Sequence, residues 1–347
     1  MLSTEKRKKG RLNRIFSIAG LAVGAAILVG LIVYVGRTMD IAALIASVRP
    51  LWLAAAALCI PVSESIDALI FYGMGKGTGC PVRLAGCFDA AYIGEFYYKL
   101  GPAGAPVQLK LMYDAGMSAT YTASIFTWKM VANTVGYTVY AVAALIYKLV
   151  LHGENIGAAL VGTGVLLTLY VVLCGLALLM TVHPQPVMRL IRRILVWMSR
   201  HTKVMAKPGR VDTGMKKVEE FCVQLKALRG NHRLLVGLYV GMFLELTALF
   251  AVPLFLYFGL GLSGTSWVDL LLTQCLVMVI SRIVLLPGNV GGAEGCFYLF
   301  MGPIFGEHLA VGMVLWRIAA FLEVMLLGGV WSVLRFAWRT ARPGHGR

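Results

Sequence analysis

The chain has 347 residues, of which 59% are hydrophobic and 14% are charged, and its mean hydropathy is +0.78. Soluble domains are typically about 45–50% apolar and about 25% charged, so this composition excludes an ordinary water-soluble protein and predicts a membrane protein. The net charge of +16 comes from blocks of Lys and Arg between apolar runs, which is typical of topology-determining loops rather than of nucleic-acid binding.

Six apolar runs are long enough to cross a bilayer as helices. The first follows a basic N-terminus and is too long for the apolar core of a signal peptide, so it is predicted to be a spanning helix. The third is long enough to require a tilt or a break. In chain order the runs are Ile15–Gly36, Leu51–Tyr72, Ser118–Leu151, Ile156–Val182, Leu234–Phe258 and Leu309–Phe336.

Two further apolar stretches are interrupted by proline and glycine. Leu84–Met112 contains the run Gly101-Pro102-Ala103-Gly104-Ala105-Pro106, and Trp267–Phe305 contains Pro287-Gly288-Asn289-Val290-Gly291-Gly292. Proline removes a backbone donor and glycine disfavours helix, so each stretch is predicted to be a helical hairpin with an unwound tip. The hairpins, residues 84–113 and 267–306, either re-enter the membrane or cross it.

The order of spans and hairpins predicts an inverted repeat. Residues 1–151 contain three spans and a hairpin, and residues 152–347 contain the same set. Because three spans per half is an odd number, the second half is inverted and the hairpins enter from opposite faces. The predicted fold is therefore an all-α polytopic membrane protein with about six spanning helices, two re-entrant hairpins and a site at the repeat interface.

Basic residues set the expected orientation. The N-terminus, the tail and the loop Pro184–Arg233 are rich in Lys and Arg, which places all three in the cytoplasm. Part of that loop is amphipathic: apolar residues recur at helical spacing from Val187 to Met198, with arginines largely off that face. The pattern fits either a helix on the anionic lipid surface or an ordinary solvated loop.

Ionisable residues inside apolar stretches cost about 2.5–3.5 kcal/mol each on insertion scales, so they need a partner or a function. Glu64 and Asp67 lie one turn apart and could relay a proton, bind a cation, or pair with a basic residue of another span. Arg317 and Glu323 are six residues apart and do not face each other, so each needs a partner elsewhere. Further candidates for ion, proton or structural pairing are Lys129 and Glu245.

The broken hairpins are the predicted substrate site. Glu95 and Lys99 are four residues apart and can form an intrahelical ion pair, or Lys99 can meet an anionic headgroup. A helix that restarts after a break offers free N–H groups and partial positive charge, which suits a phosphate. The predicted substrate-contacting residues are Glu95, Lys99, Pro102, Gly104, Gln108 and Lys110, then Arg282, Pro287, Gly288, Asn289, Gly291, Gly292 and Glu294, together with Arg317.

Signatures of catalysis and cofactor binding are absent from the sequence. The six histidines are scattered without an H-E-x-x-H motif, and there is no P-loop. The seven cysteines include no C-x-x-C pair and most lie in apolar runs, which favours small buried hydrophobes over a disulfide framework or a metal site. We therefore predict no catalytic residue, no metal and no cofactor.

Both breaks resemble the flippase-like transmembrane domain of the lysylphosphatidylglycerol synthases. Gly94-Glu95-Phe96, followed after five residues by Pro102-Ala103-Gly104-Ala105-Pro106-Val107-Gln108, resembles its first signature, with Glu95 where that signature has Gln. The run from Leu286 through Pro287-Gly288-Asn289-Val290-Gly291-Gly292 to Glu294 resembles the second, and Trp316-Arg317 with Gly328 resembles a later span. The layout is similar over nearly the whole chain.

This resemblance implies a multi-pass protein of the bacterial plasma membrane, with both termini cytoplasmic, that moves an anionic or aminoacylated phospholipid, or a polyprenyl-linked lipid, between leaflets. Full-length members carry a cytosolic domain that transfers lysine from charged tRNA. The chain ends shortly after the last span, so we expect no such activity from it alone. The expected partners are membrane phospholipids, and an oligomer is compatible with the sequence.

Two alternatives remain at this point. A separate cytosolic aminoacyltransferase could supply the catalytic domain, giving phosphatidylglycerol lysyltransferase activity and a contribution to resistance against cationic antimicrobial peptides. Alternatively, Glu64, Asp67 and Glu245 could serve an ion-coupled transporter of a small solute.

Overall fold

The structure is a computed structural model, and it describes residues 46, 48–100, 104–151, 164–165, 168–169, 171–172, 175, 184–201, 210–281 and 292–341. Within these ranges the regular secondary structure is entirely helical. This agrees with the predicted fold class, an all-α membrane protein.

Four α-helices lie between Pro50 and Ile146. Pro61 lies inside the first of them without ending it. Ser118 caps the fourth, where its side chain accepts a hydrogen bond from the backbone N–H of Tyr121 at 3.3 Å. The helices are α1 (Pro50–Gly77), α2 (Leu84–Leu100), α3 (Gly104–Asp114) and α4 (Ala119–Ile146), and a π turn, Tyr147–Leu151, follows α4.

The later part of the chain forms eight α-helices within the described ranges. A 3₁₀ turn, Gly306–His308, precedes the eleventh helix, and a π turn, Ile318–Leu322, follows it. The helices are α5 (Pro184–His201), α6 (Arg210–Gly230), α7 (His232–Phe250), α8 (Val252–Gly259), α9 (Trp267–Ser281), α10 (Gly292–Phe305), α11 (Leu309–Arg317) and α12 (Glu323–Ala341).

Four helical stretches of the described chain are long and apolar enough to cross a membrane: Pro50–Gly77, Ala119–Val150, His232–Gly259 and Gly292–Ala337. They include the second, third, fifth and sixth predicted spans. The first predicted span lies outside the described residues, and so does most of the fourth. The last stretch is longer than predicted, because the helical chain from Gly292 continues through short 3₁₀ and π turns.

Around the first predicted break, α2 and α3 lie side by side and antiparallel. The Gln108 side chain donates to the carbonyl of Ala90, and the backbone N–H of Arg83 donates to the carbonyl of Ala115. The interruption is narrower than the sequence pattern predicts, because α3 already begins at Gly104 and includes Pro106 in its first turn. A proline there lacks only a donor that has no intrahelical partner anyway.

Around the second predicted break, α9 and α10 also pack against each other. α9 is buried over most of its length, and the buried residues of α10 include Phe297, Met301 and Phe305. Both broken stretches are thus pairs of packed helices.

The chain divides into two compact units. One contains α1 up to Glu64, the segment Asp89–Gln108 and the helices from Ala248 onward; the other contains Ser65–Phe88 and Leu109–Thr247. Each unit combines segments from residues 1–151 and from residues 152–347. The division of the sequence into two inverted repeats stays a prediction about internal symmetry.

Candidate functional site

Glu95 and Lys99 form an ion pair on α2, one turn before the first break. Lys99 Nζ lies 3.3 Å from Glu95 Oε1, and the side chains are 22% and 33% exposed. Beyond the break, Gly104 lies so close to Tyr98 that an added Cβ would overlap the tyrosine ring. The ion pair is therefore accessible, and Gly104, at the start of α3, packs tightly against Tyr98 of α2.

Gln108 and Lys110 take different positions on α3. Gln108 is buried, and its Nε2 donates to the Ala90 carbonyl at 3.2 Å. Gly94 makes room for it, since a Cβ there would lie 3.0 Å from the Gln108 amide nitrogen. Lys110 is exposed and pairs with Asp114 at 3.0 Å. Gln108 thus holds the two arms of the hairpin together.

The second broken stretch has an ion pair of its own. Arg317 Nε donates to Glu294 Oε1 at 2.6 Å, and the two side chains are 19% and 32% exposed. Glu294 lies in the first turn of α10, where a carboxylate also interacts favourably with the helix dipole. Arg317 is the last residue of α11, directly before the π turn Ile318–Leu322.

Two aromatic rings lie near the Arg317 guanidinium. Its central carbon lies 5.5 Å from the ring centre of Trp316 and 5.6 Å from that of Phe321. Phe321 also packs with Phe96 and Met325 in one apolar cluster. A guanidinium can stack on such rings, and its planar set of N–H donors suits recognition of carboxylate or phosphate.

Several predicted substrate residues lie outside the described residues. They are Pro102, Arg282, Pro287, Gly288, Asn289 and Gly291. Gly292 is described and begins α10. The described part of the predicted site therefore consists of the helix segments that flank each break.

Asp67 and Lys129 form a third ion pair, joining α1 to α4. Lys129 Nζ lies 2.6 Å from Asp67 Oδ1, and the side chains are only 12% and 5% exposed. The ammonium also lies 4.6 Å from the ring centre of Phe71. This pair is enclosed by protein, in contrast to the pairs beside the breaks. Glu64, Glu245 and Glu323 are half-buried on α1, α7 and at the start of α12.

A network around Asp89 was not included in the predicted site. Its carboxylate accepts hydrogen bonds from Trp331 Nε1 at 2.8 Å and from Arg335 Nε at 3.0 Å. The Tyr92 ring stacks on Trp331, and its hydroxyl donates to the carbonyl of Pro61. The sequence did contain an indication of this network, because Asp89 is an acidic residue in an apolar stretch and such a residue requires a partner.

These apolar helices, with ion pairs between them, define a polytopic α-helical membrane protein. Residues 17–328 match the family described as the lysylphosphatidylglycerol synthase TM region, so the chain belongs to this family. The match confirms the resemblance inferred from the residues around the two breaks. No curated protein matched the sequence.

Proposed function

We propose that this protein moves an anionic or aminoacylated phospholipid between the leaflets of the membrane. The observation that carries the proposal is the Arg317–Glu294 ion pair, which lies beside a broken helical stretch and is partly exposed, with the guanidinium close to the rings of Trp316 and Phe321. The family name, with its reference to lysylphosphatidylglycerol, supports the same class of substrate.

The chemistry of the headgroup fits such a pair. A phospholipid phosphate is an anion that can replace a carboxylate on a guanidinium with similar geometry. When phosphate binds Arg317, Glu294 is released to accept a hydrogen bond from a hydroxyl or an ammonium of the same headgroup. An aminoacylated phosphatidylglycerol carries both a phosphate and an ammonium, so a paired cation and carboxylate complement it.

The exposure of an ion pair determines whether a lipid headgroup can replace one of its members. Glu95–Lys99 and Arg317–Glu294 belong to the same compact unit and have carboxylates about one-third exposed. Asp67–Lys129 is almost fully enclosed. Opening an enclosed pair leaves a buried charge uncompensated, which is strongly unfavourable. The two partly exposed pairs beside the breaks, Glu95–Lys99 and Arg317–Glu294, are therefore the proposed headgroup contacts.

Leaflet exchange in reconstituted vesicles tests the proposal. The purified protein is placed in liposomes that contain trace phospholipids with a fluorescent acyl chain, and a membrane-impermeant reductant measures how fast label reaches the outer leaflet. We expect faster exchange for phosphatidylglycerol and lysylphosphatidylglycerol than in protein-free liposomes. Exchange equal to that of empty liposomes for both headgroups contradicts the proposal.

A further inference from the structure

Helix α5 presents an apolar stripe bordered by arginines. Three large apolar side chains are unusually exposed: Leu190 is 52% exposed, Ile194 47% and Trp197 60%. Positions 190, 194 and 197 recur at three- and four-residue spacing and so lie on one face of the helix. Arg189, Arg192 and Arg193 are also exposed.

The side of α5 that faces away from the stripe packs against α6, which belongs to the same compact unit. α5 contacts α6, and a Cβ added at Gly214 of α6 would lie 3.3 Å from Leu195 of α5. α6 is in turn fixed to the spanning helix α4, because Trp128 Nε1 donates to the carbonyl of Leu225 at 3.2 Å. Leu225 itself is buried, together with Cys222 and Leu228. α5 is therefore held in place through α6.

We expect α5 to lie close to the membrane surface, because the chain on both sides of the α5–α6 segment belongs to helices predicted to cross the membrane. α6 ends at Gly230, and the spanning helix α7 begins at His232, two residues further on. The predicted span Ile156–Val182 ends two residues before α5 begins at Pro184.

Charge selects the kind of lipid surface. The sequence of α5 contains four arginines and no Asp or Glu. An apolar stripe bordered by cations is the pattern of a helix that lies in the interface, with its apolar side chains among the acyl chains and its cations against anionic headgroups. A zwitterionic lipid surface also carries phosphates but has no net negative charge, so it attracts the arginines less than an anionic surface does.

We propose that α5 lies flat on the surface of the bilayer in which the protein is embedded and binds anionic phospholipid there. Leu190, Ile194 and Trp197 enter the headgroup boundary, and Arg189, Arg192 and Arg193 contact phosphates. The residues of this contact differ from those of the proposed transport site, and none of them belongs to the unit that holds Arg317 and Lys99.

Hydrogen exchange of the full-length protein, one copy per nanodisc, tests the proposal. Backbone amides of α5 are compared in phosphatidylcholine discs and in discs that also contain phosphatidylglycerol. We expect slower exchange in the anionic discs. A cation near an anionic surface contributes roughly fivefold to binding, so R189Q/R192Q/R193Q should reduce the ratio of surface-bound to detached helix by about a hundredfold.

The matched control is K216Q/K217Q/K226Q, which removes three exposed cations from the neighbouring helix α6. This variant should keep the slow exchange of α5 in anionic discs. Equal exchange of α5 in neutral and anionic discs, or an equal effect of the two triple variants, overturns the proposal. Protection that appears only with two copies per disc identifies a second copy as the occupant and also overturns it.

A second measurement reports the depth of the stripe. Discs are prepared with lipids brominated near the glycerol end of the acyl chain, and the emission of Trp197 is obtained as the difference between wild type and W197F. We expect this emission to be quenched in anionic discs and less so at high salt, which screens the arginines. A Trp197 emission unaffected by bromine contradicts insertion.

Discussion

At the scale of single residues, the ion pairs of this protein differ in how they meet the cost of charge in an apolar environment. Asp67–Lys129 is enclosed, and a phenyl ring covers its ammonium. Arg317–Glu294 remains partly exposed although it is as short. The first arrangement stabilises a particular packing, whereas the second keeps a cation that an incoming anion can reach.

Replacing Arg317 by Gln should slow leaflet exchange of phosphatidylglycerol. A hydrogen bond to a charged group is worth about 1.5–3 kcal/mol, which corresponds to about a ten- to hundredfold loss of rate if the bond forms on the transport path. The measurement is the liposome exchange rate per folded molecule.

The control for Arg317 is R335Q, which breaks the Asp89–Arg335 pair of the same unit. This variant should lower the melting temperature but leave the rate of leaflet exchange within about twofold of wild type. If R335Q slows exchange as much as R317Q does, the effect of Arg317 is structural.

Removing one member of the Asp67–Lys129 pair should destabilise the protein. Lys129→Met leaves the buried carboxylate uncompensated, at a cost of about 3–5 kcal/mol in the free energy of unfolding. The double variant D67L/K129M removes both charges and should recover most of this loss. Denaturant unfolding in detergent micelles measures both values.

The control for this pair is Lys110–Asp114, whose lysine is 63% exposed. K110Q should change the free energy of unfolding by less than about 1 kcal/mol, because water screens an exposed pair. A double variant that is no more stable than K129M would instead mean that the two charges act independently.

At the scale of helices, glycine sets how closely α2 and α12 approach. A Cβ at Gly328 of α12 would lie 2.6 Å from Phe96 Cβ and 2.6 Å from the Tyr92 carbonyl oxygen, both on α2. The Asp89 carboxylate of α2 bonds Trp331 and Arg335 of α12 along the same contact. Close packing of two helices through a small residue is a common way to associate helices in a membrane.

Gly328→Ala should therefore lower stability. The added methyl group meets a backbone oxygen that cannot move away alone, and such overpacking typically costs about 1–3 kcal/mol. Gly295→Ala is the matched control, because an added Cβ there meets nothing within 4 Å and alanine favours helix. Thermal unfolding followed by tryptophan fluorescence compares the two. Equal melting temperatures would show that α12 can shift away from α2 without cost.

The positions of the helices could be predicted from the sequence better than the side-chain contacts between them. Lipid requires long apolar runs, so the predicted span Leu51–Tyr72 falls within α1, and the break at Gly101–Pro102 separates α2 from α3. That Arg317 needs a partner followed from the cost of charge in lipid. That the partner is Glu294, 23 residues earlier, depends on how α10 and α11 turn toward each other, which a single sequence does not encode in its periodicity.

At the scale of the whole molecule, the proposed topology rests on the distribution of charge. The basic segment that includes α5 and α6 and the basic tail should lie on one side of the membrane, with the N-terminus. In the inverted arrangement, the first broken stretch begins and ends on that side, and the second begins and ends on the other. The side on which each broken stretch begins and ends is the same whether the hairpins re-enter the membrane or cross it. Measuring these sides therefore tests the relative orientation of the two repeats.

Cysteine labelling in intact cells decides between an inverted and a parallel arrangement. In a cysteine-free variant, Y113C at the end of α3 and D212C on α6 should react with a membrane-impermeant maleimide only after the membrane is opened. S263C, between α8 and α9, should react in intact cells. All three positions are exposed. Reaction of positions 113 and 263 from the same side would exclude the inverted repeat.

The same labelling can be tried in the native background, because five of the six described cysteines are buried and the sixth, Cys296, is half-buried. Cys59, Cys80, Cys87, Cys222 and Cys275 are buried. For Cys222, outside the spans, burial and then the neighbouring Glu219 carboxylate raise the pKa of the thiol, so at neutral pH even less of it is the reactive thiolate. Exposed cysteines at positions 113, 212 and 263 should therefore label faster than Cys222, and their relative labelling before and after opening the membrane reports the side on which each hairpin is anchored.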